Sequence, residues 1–310
     1  MHAQASQARQ YARPNTAMTT LSRPVPFILK LFRLIFKIGG YLSPRLAGYA
    51  AYKLWLTPQR YNTPKSEQTA RHSALIKQHE INNKKIVSYQ WGTTGDIVLL
   101  IHGWSGRGTQ LGNIAESLVN VGYRVLSFDA PAHGDSTGKQ TNIYEIADTI
   151  LTLDKTFGPF KAVITHSFGG PCLAVAMKKG FTVKRVVNIA PPAATIGLVN
   201  KFATMLELSS KVEHELIRCI EKNFGDDIWQ ATSMENNINQ LDSHALVIHD
   251  VDDIDVSWHE GQKIARAWKN AHFIKTRGLG HRRILRDPAI IQTTIDFITG
   301  SDQFINTTTH

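Results

Sequence analysis

The chain has 310 residues, 42% apolar and 19% charged, long enough to bury a sizeable core and too apolar for a disordered protein. Its two cysteines, Cys172 and Cys219, supply no disulfide framework and fit no metal-type Cys/His spacing, which points to a reducing compartment. The net charge of +10 lies entirely in the N-terminal fifth: residues 1–66 hold ten Lys or Arg and no Asp or Glu, and the remainder balances 25 basic against 25 acidic residues. The excess therefore describes an appended segment, taken as residues 1–84, rather than the main domain.

Residues 1–20 are polar and aperiodic and are expected to be disordered. After Pro24 and Pro26, the run from Phe27 to Ile38 sets Lys30, Arg33 and Lys37 at spacings of three and four. On a helix they share one face, with Leu, Ile and Phe on the others. A dozen residues before Gly39-Gly40 is too short and too charged a run to span a bilayer. Two readings compete. The helix lies in the interface of an anionic membrane, through residues 24–60, or it docks on the main domain with its basic face in water. A signal or transit segment is a third reading, disfavoured because cations interrupt the apolar run. A second helix, Arg45 to Leu56, ends before Pro58 and is expected to form a hairpin with the first around Gly39-Gly40. No recognition helix or aromatic sheet motif accompanies the charge, so nucleic acid is not an expected partner. The expected location is cytoplasmic, peripheral to the inner face of a membrane.

From about Ile86 the pattern becomes short apolar runs separated by helical stretches. Expected strands are Ile86 to Trp91, Ile97 to Ile101, Tyr123 to Phe128, Lys161 to Thr165, Lys184 to Ile189, Ala245 to Ile248 and His272 to Lys275. Expected helices are Thr109 to Asn120, Asn142 to Phe157, Phe168 to Lys179 and Pro288 to Ile298. Continuous Val/Ile/Leu runs such as Ile97-Val98-Leu99-Leu100-Ile101 suit strands buried on both faces, and the alternation implies a mostly parallel α/β sheet flanked by helices. Residues 192–240 break the rhythm with helical periodicity and no strand, as expected of a helical cap over a site. The domain is therefore placed at 85–299, followed by a tail, 300–310.

The chemistry concentrates at Ala162-Val163-Ile164-Thr165-His166-Ser167-Phe168-Gly169-Gly170. A serine on a tight strand-to-helix turn presents its hydroxyl, and the flanking positions must be small because the backbones approach closely. Thr165 stands where the pattern G-x-S-x-G has its first glycine, and its methyl is expected to push strand and helix slightly apart. An activated serine needs a base and an acid to orient that base, from loops beyond the carboxyl ends of strands. Two such loops follow. One is His249-Asp250-Val251-Asp252-Asp253-Ile254-Asp255, the other Gly278-Leu279-Gly280-His281.

In this order the motifs resemble the α/β-hydrolase superfamily over roughly residues 85 to 299. His102-Gly103-Trp104-Ser105-Gly106 is similar to its oxyanion loop, Asp129 to Ser136 to its D-x-x-x-H-G-x-S segment, and Thr165 to Gly169 to its nucleophile elbow. The resemblance implies Ser167 as nucleophile, His281 as general base and Asp253 as acid, with Asp252 and Asp255 as rivals. Asp250 takes the glycine place of the family's G-x-x-D. The backbone N–H groups of Trp104 and Phe168 become the oxyanion donors, supported by His102, Gly103, His166 and Gly169. His133, His166 and His249 beside the Asp cluster invite a metal-hydrolase reading, but no H-x-x-x-H or H-x-H-x-D pair exists, and neither metal nor cofactor is expected. Cys172 reads as a small core residue, and Trp91 and Trp104 as packing and pocket wall.

The expected function is a serine hydrolase of the carboxylesterase or lipase kind, acting on a small ester or acyl substrate. A thioesterase, amidase or acyltransferase on the same residues is one alternative, and a non-catalytic binding module on the same scaffold is another.

Overall fold

A computed structural model describes residues 26–239 and 241–300. The expectations for residues 1–20 and for the tail beyond residue 300 lie outside these. In chain order the strands are β1 (Leu75–Ile81), β2 (Lys84–Trp91), β3 (Ile97–Ile101), β4 (Arg124–Phe128), β5 (Ala162–His166), β6 (Arg185–Ile189), β7 (His244–Asp250) and β8 (Ala271–Thr276). They form one sheet in the order β1-β2-β4-β3-β5-β6-β7-β8. β1 pairs antiparallel with β2, and β2 antiparallel with β4; every other pairing is parallel. The five residues of β3 and of β5 are all buried, as a strand covered on both faces requires.

The helices are α1 (Phe27–Leu42), α2 (Pro44–Trp55), α3 (Lys65–Ser73), α4 (Gly112–Asn120), α5 (Ile143–Phe157), α6 (Gly169–Lys178), α7 (Thr195–Met205), α8 (Ser210–Phe224), α9 (Ile228–Ala231), α10 (Met234–Ile238), α11 (Trp258–Ala267), α12 (Gly280–Arg283) and α13 (Pro288–Thr299). The stretch between β6 and β7 is helical, α7 to α10. Its last helix belongs to the main core, since Met234 and Ile238 are buried with Leu173 and Met177 of α6.

Four expectations need correction. The boundary at residue 85 cuts off β1, which joins the sheet through the turn Asn82-Asn83. Both asparagines take a positive φ, 50° and 58°, the two-residue hairpin geometry that Asn tolerates. The strand escaped notice because it is an edge: Lys77, Gln78, His79 and Glu80 dilute any apolar alternation. Helix α3 precedes it, and helix α11 separates β7 from β8; α11 buries only Gly261 and Ile264, too little for a visible stripe. Thr109 to Asn120 starts as a 3-10 turn, Gly108–Leu111, before α4.

The fourth concerns Gly39-Gly40, where a hairpin was expected. α1 runs through both glycines to Leu42, and the chain turns at Ser43, whose side chain accepts from Leu46 N–H ahead of Pro44. The glycines serve close packing instead. A Cβ on Gly40 would lie 2.8 Å from Val212 Cγ2, and one on Gly48 would overlap Glu215 Cβ. Phe36, Ala47, Ala51 and Tyr52 close a small core with Val212, Leu216 and Ile220 of α8. The inner face of the basic segment is thus docked on the cap. Arg33, expected in water with Lys30 and Lys37, turns inward to Glu207 (2.6 Å) and the Met205 carbonyl (3.0 Å).

The following strand of chain is tied down as firmly. The Arg60 guanidinium donates to the carbonyls of Ala132 (3.0 Å), Ser136 (2.5 Å) and Gly138 (2.9 Å). Gln59 N–H donates to Ser105 Oγ at 2.9 Å, and Arg107 donates to the Asn62 carbonyl at 2.8 Å.

Gly48→Ala separates two effects. Helix propensity alone favours alanine by about 1 kcal/mol, whereas overpacking against Glu215 costs roughly 1–3 kcal/mol. We expect a net loss of stability, read as a lower urea midpoint; a gain would mean α2 does not approach α8 this closely.

Candidate active site

Ser167 follows the last residue of β5 and precedes α6 by one residue, with φ at +51°, the left-handed region a serine enters only under constraint. The constraint is close approach. A Cβ on Gly169 would meet the carbonyl oxygens of Ile101 and His102 at 2.7 and 2.9 Å, and one on Gly103 would meet Ser167 Cβ at 2.8 Å. Thr165 is fully buried, and its hydroxyl donates to Asn188 Oδ1 (2.6 Å), its register partner on β6. The sheet accommodates a β-branched residue here because its polar atom is paired across the strands.

The loop after β3 is held from below. Ala130 N–H donates to His102 Nε2 (3.0 Å), so the proton sits on Nδ1, which donates to the Gly103 carbonyl (2.7 Å). The Asp129 carboxylate accepts from Gly108 N–H (2.7 Å), Asp135 N–H (2.7 Å) and the Tyr89 hydroxyl (3.0 Å). His133 packs its ring edge-on against Trp104 at 5.2 Å, and Trp104 meets Phe168 at 5.5 Å. The backbone N–H groups of Trp104 and Phe168 have no acceptor among the described residues. The two unpaired donors belong to the residues that follow Gly103 and Ser167, which approach each other closely, and they are unusual, since backbone donors inside a fold are nearly always paired.

His281 sits on α12 and donates from Nδ1 to Asp253 Oδ2 at 2.7 Å. Asp253 Oδ1 accepts from the N–H groups of Asp255 (2.7 Å) and Val256 (2.9 Å). His249 Nε2–H donates to the Val256 carbonyl (3.0 Å) and lies 3.4 Å from Asp253 Oδ2. Burial by itself pushes the Asp253 carboxyl up, but the hydrogen bonds from His249 and His281, the electrostatic attraction of the adjacent His281 and the Val256 N–H together hold it well below the ordinary carboxylate range. It is therefore charged at neutral pH.

The rivals are placed elsewhere. Asp252 accepts from Gly278 N–H (2.9 Å), and Asp255 lies 3.8 Å from Lys201 Nζ. Asp250 is fully buried and spends its oxygens on Asp252 N–H, Leu279 N–H and the Thr276 hydroxyl, fixing the His281 loop to β7. The Ser167 hydroxyl is half-buried and has no hydrogen-bond partner among the described residues, His281 included. His281 Nε2 is likewise unpaired.

The sequence named His166 and His249 without showing what they touch, and it did not place Trp55 or Leu56 at the site. His166 donates from Nε2 to the His281 carbonyl (2.9 Å), and its ring lies 4.7 Å from that of His281, tilted by 46°. His249 approaches the same Asp253 oxygen, Oδ2, as His281; its place at the end of β7, four residues before Asp253, was the available signal. Trp55 and Leu56, from α2, form part of a cavity of about 240 Å³ beside Trp104 and Phe168, together with Phe202, Met205 and Ile220 of the cap. Its polar side chains are committed: Thr195 bonds Thr232 (2.6 Å), Thr141 bonds Glu145 (2.8 Å), and Lys201 donates to the Ile254 carbonyl (2.6 Å). What faces the cavity is mostly carbon. Among the described residues, no three His, Cys, Asp or Glu groups converge as a metal site would require.

The fold and this site carry the signature of one family. The profile of the alpha/beta hydrolase family matches residues 98–291, more than half the chain, and the protein belongs to that family. It is 30% identical over 131 residues to mouse (Mus musculus) sn-1-specific diacylglycerol lipase ABHD11, covering 39% of this chain and 43% of the relative. It is 26% identical over 204 residues to human (Homo sapiens) protein ABHD12B, covering 60% and 55%. The chain thus spans about half the length of these relatives. Among solved structures, mouse alpha/beta hydrolase domain-containing protein 10 superposes with a TM-score of 0.59 at 16% identity, over 75% of this chain and 99% of that one.

Burial holds His133 and His166 down to about 3, helped by the neighbouring His102 and His281 rings respectively; it also lowers His102. Unfolded, such rings titrate near 6.5. Between these values the unfolded chain takes up protons that the folded chain excludes, so stability falls as pH drops below about 6.5. We expect the unfolding free energy to decrease from about pH 7 to about pH 5, and His133→Asn to flatten that slope by about 1 kcal/mol per pH unit. Identical slopes would show that His133 is not held neutral.

Proposed function

We propose that the protein is a serine hydrolase of carboxylic esters whose acyl or leaving group is apolar. The observation that carries the reading is the 2.7 Å bond from His281 Nδ1 to a buried, ionised Asp253, which leaves the opposite ring nitrogen unpaired. An imidazole held in that tautomer accepts a proton at Nε2, and the adjacent carboxylate stabilises the resulting cation. Rotation of the unpaired Ser167 hydroxyl toward Nε2 completes the set; catalytic hydrogen bonds commonly tighten only with substrate bound.

Ser167 Oγ then attacks the ester carbonyl while His281 takes its proton. The oxyanion is met by the N–H groups of Trp104 and Phe168, each worth about 3 kcal/mol by analogy with measured donors. His281 returns the proton to the departing alcohol, and water, activated by the same ring, releases the acid and restores Ser167. His166, neutral and bonded to the His281 backbone, fixes the ring without competing for the proton. The carbon-faced cavity beside Trp104 and Phe168 suits an alkyl or acyl chain, and a relative named as a diacylglycerol lipase agrees with an ester of that character. A thioester would be attacked by the same groups, so thioesterase activity is the second reading.

A fluorophosphonate probe should label the wild type and not Ser167→Ala; an unlabelled wild type overturns the proposal. On p-nitrophenyl esters of increasing chain length, Ser167→Ala and His281→Ala should each lose at least about 10³-fold in kcat. Ile220→Trp, which fills the cavity, should retain acetate hydrolysis and lose activity on longer chains. Equal loss at every length would remove the cavity from the acyl site.

A further inference from the structure

α1 has two apolar faces, and only one is used. Phe36, Leu29 and Phe32 turn toward the cap core. On the opposite side Phe27, Leu31, Leu34, Ile38, Tyr41 and Leu42 stand in solvent, with Phe27 81% and Tyr41 90% exposed. Their spacing of four and three makes one continuous stripe along the helix, and Lys30 and Lys37, seven residues apart, both lie along one border of it. A stripe this long on a single helix marks an interaction surface.

Three occupants could cover it, and charge chooses between them. In a two-stranded coil with a second copy, Lys30 and Lys37 would flank the seam on the same heptad position. The partner would present either the same lysines or the apolar Ile28 and Ile35 to them, with no carboxylate to pair. Residues 1–25 bring three arginines and no acidic residue, so they repel these lysines as well. Anionic headgroups complement them, and a bilayer interface takes the apolar stripe. The helix is about 24 Å long at 1.5 Å per residue, short of the roughly 30 Å a bilayer core requires, and no described helix is long and apolar enough to cross a membrane.

We propose that the outward face of α1 is a monotopic docking surface for anionic membranes, with the helix lying in the plane of the interface. Its inner face then fastens the catalytic domain to the lipid: Arg33 holds the carbonyl of Met205, whose half-exposed side chain also walls the apolar cavity. Docking brings that wall to the lipid surface, the side from which an apolar ester arrives. Delivery rests on the hydrolase reading; docking itself does not.

Removing residues 1–66 is unsuitable as a test, because it would strip α8 of its packing. Point variants of the full chain leave the inner face intact, with circular dichroism melts as the control for folding. The full chain is sedimented with vesicles of phosphatidylcholine alone and of phosphatidylcholine mixed with phosphatidylglycerol. Wild type and Ser167→Ala should pellet equally with the mixed vesicles and much less with the neutral ones. Leu34→Glu/Ile38→Glu should lower the partition coefficient at least about tenfold, and Lys30→Glu/Lys37→Glu roughly tenfold on mixed vesicles only. Wild type remaining in the supernatant, equal recovery on both vesicle types, or undiminished binding by the stripe variant overturns the proposal. A dimer in solution that Leu34→Glu/Ile38→Glu dissociates, without vesicle binding by the wild type, assigns the face to a second copy. Vesicle binding gained only when residues 1–25 are removed assigns it to that segment. Because Ser167→Ala is included, loss of esterase activity with binding intact separates failure of the chemistry from failure of docking.

Discussion

A methyl group on Gly169 would come within 2.7 Å of the Ile101 carbonyl and 2.9 Å of the His102 carbonyl, and a methyl group on Gly103 would press on Ser167 itself. The ends of β3 and β5 therefore approach the start of α6 at backbone distance. That approach accompanies the left-handed turn at Ser167, and the N–H of Phe168 on that turn, like the N–H of Trp104 on the loop after β3, has no acceptor among the described residues.

Charge is arranged around this turn by burial. Asp250 ends β7 and Asp253 lies three residues further on, and both carboxylates are buried, yet they do different things. Asp250 gives both oxygens to structure, holding the loop that carries His281. Asp253 gives one oxygen to two backbone amides and keeps the other for imidazole rings. His102, His133 and His166 are held neutral by burial, and the buried negative charge of Asp253 faces the rings of His249 and His281, of which His281 makes the shorter contact.

The basic segment is part of the site's architecture as well as a candidate surface. α2 supplies Trp55 and Leu56 to the cavity wall, with Trp55 stacked at 6.4 Å on Trp104. Across the cavity, Lys201 of α7 donates to the Ile254 carbonyl in the loop that holds Asp253. The cap thus touches the acid loop on one side and the N-terminal helices on the other. α1 is joined to the cavity wall through packed side chains rather than through a free linker.

The sequence by itself determined the central layers. Unbroken apolar strands, glycines at fixed offsets and a serine between them leave few arrangements, because each rests on local constraint: both-sided burial for β3 and β5, and close backbone approach for Gly103 and Gly169. The order of Ser167, the Asp cluster and His281 was legible for the same reason. What it could not resolve was whatever depends on partners distant in the chain. β1 is an edge strand whose pairing, not its residues, makes it a strand. Gly39 and Gly40 read as a break, but Gly40 is where α8 packs against α1 through Val212. Asp253 separates from Asp252 and Asp255 only when His281 arrives from 28 residues away. Tertiary structure decided these because a hydrogen bond or a packing contact has no sequence signal until both of its halves are in place.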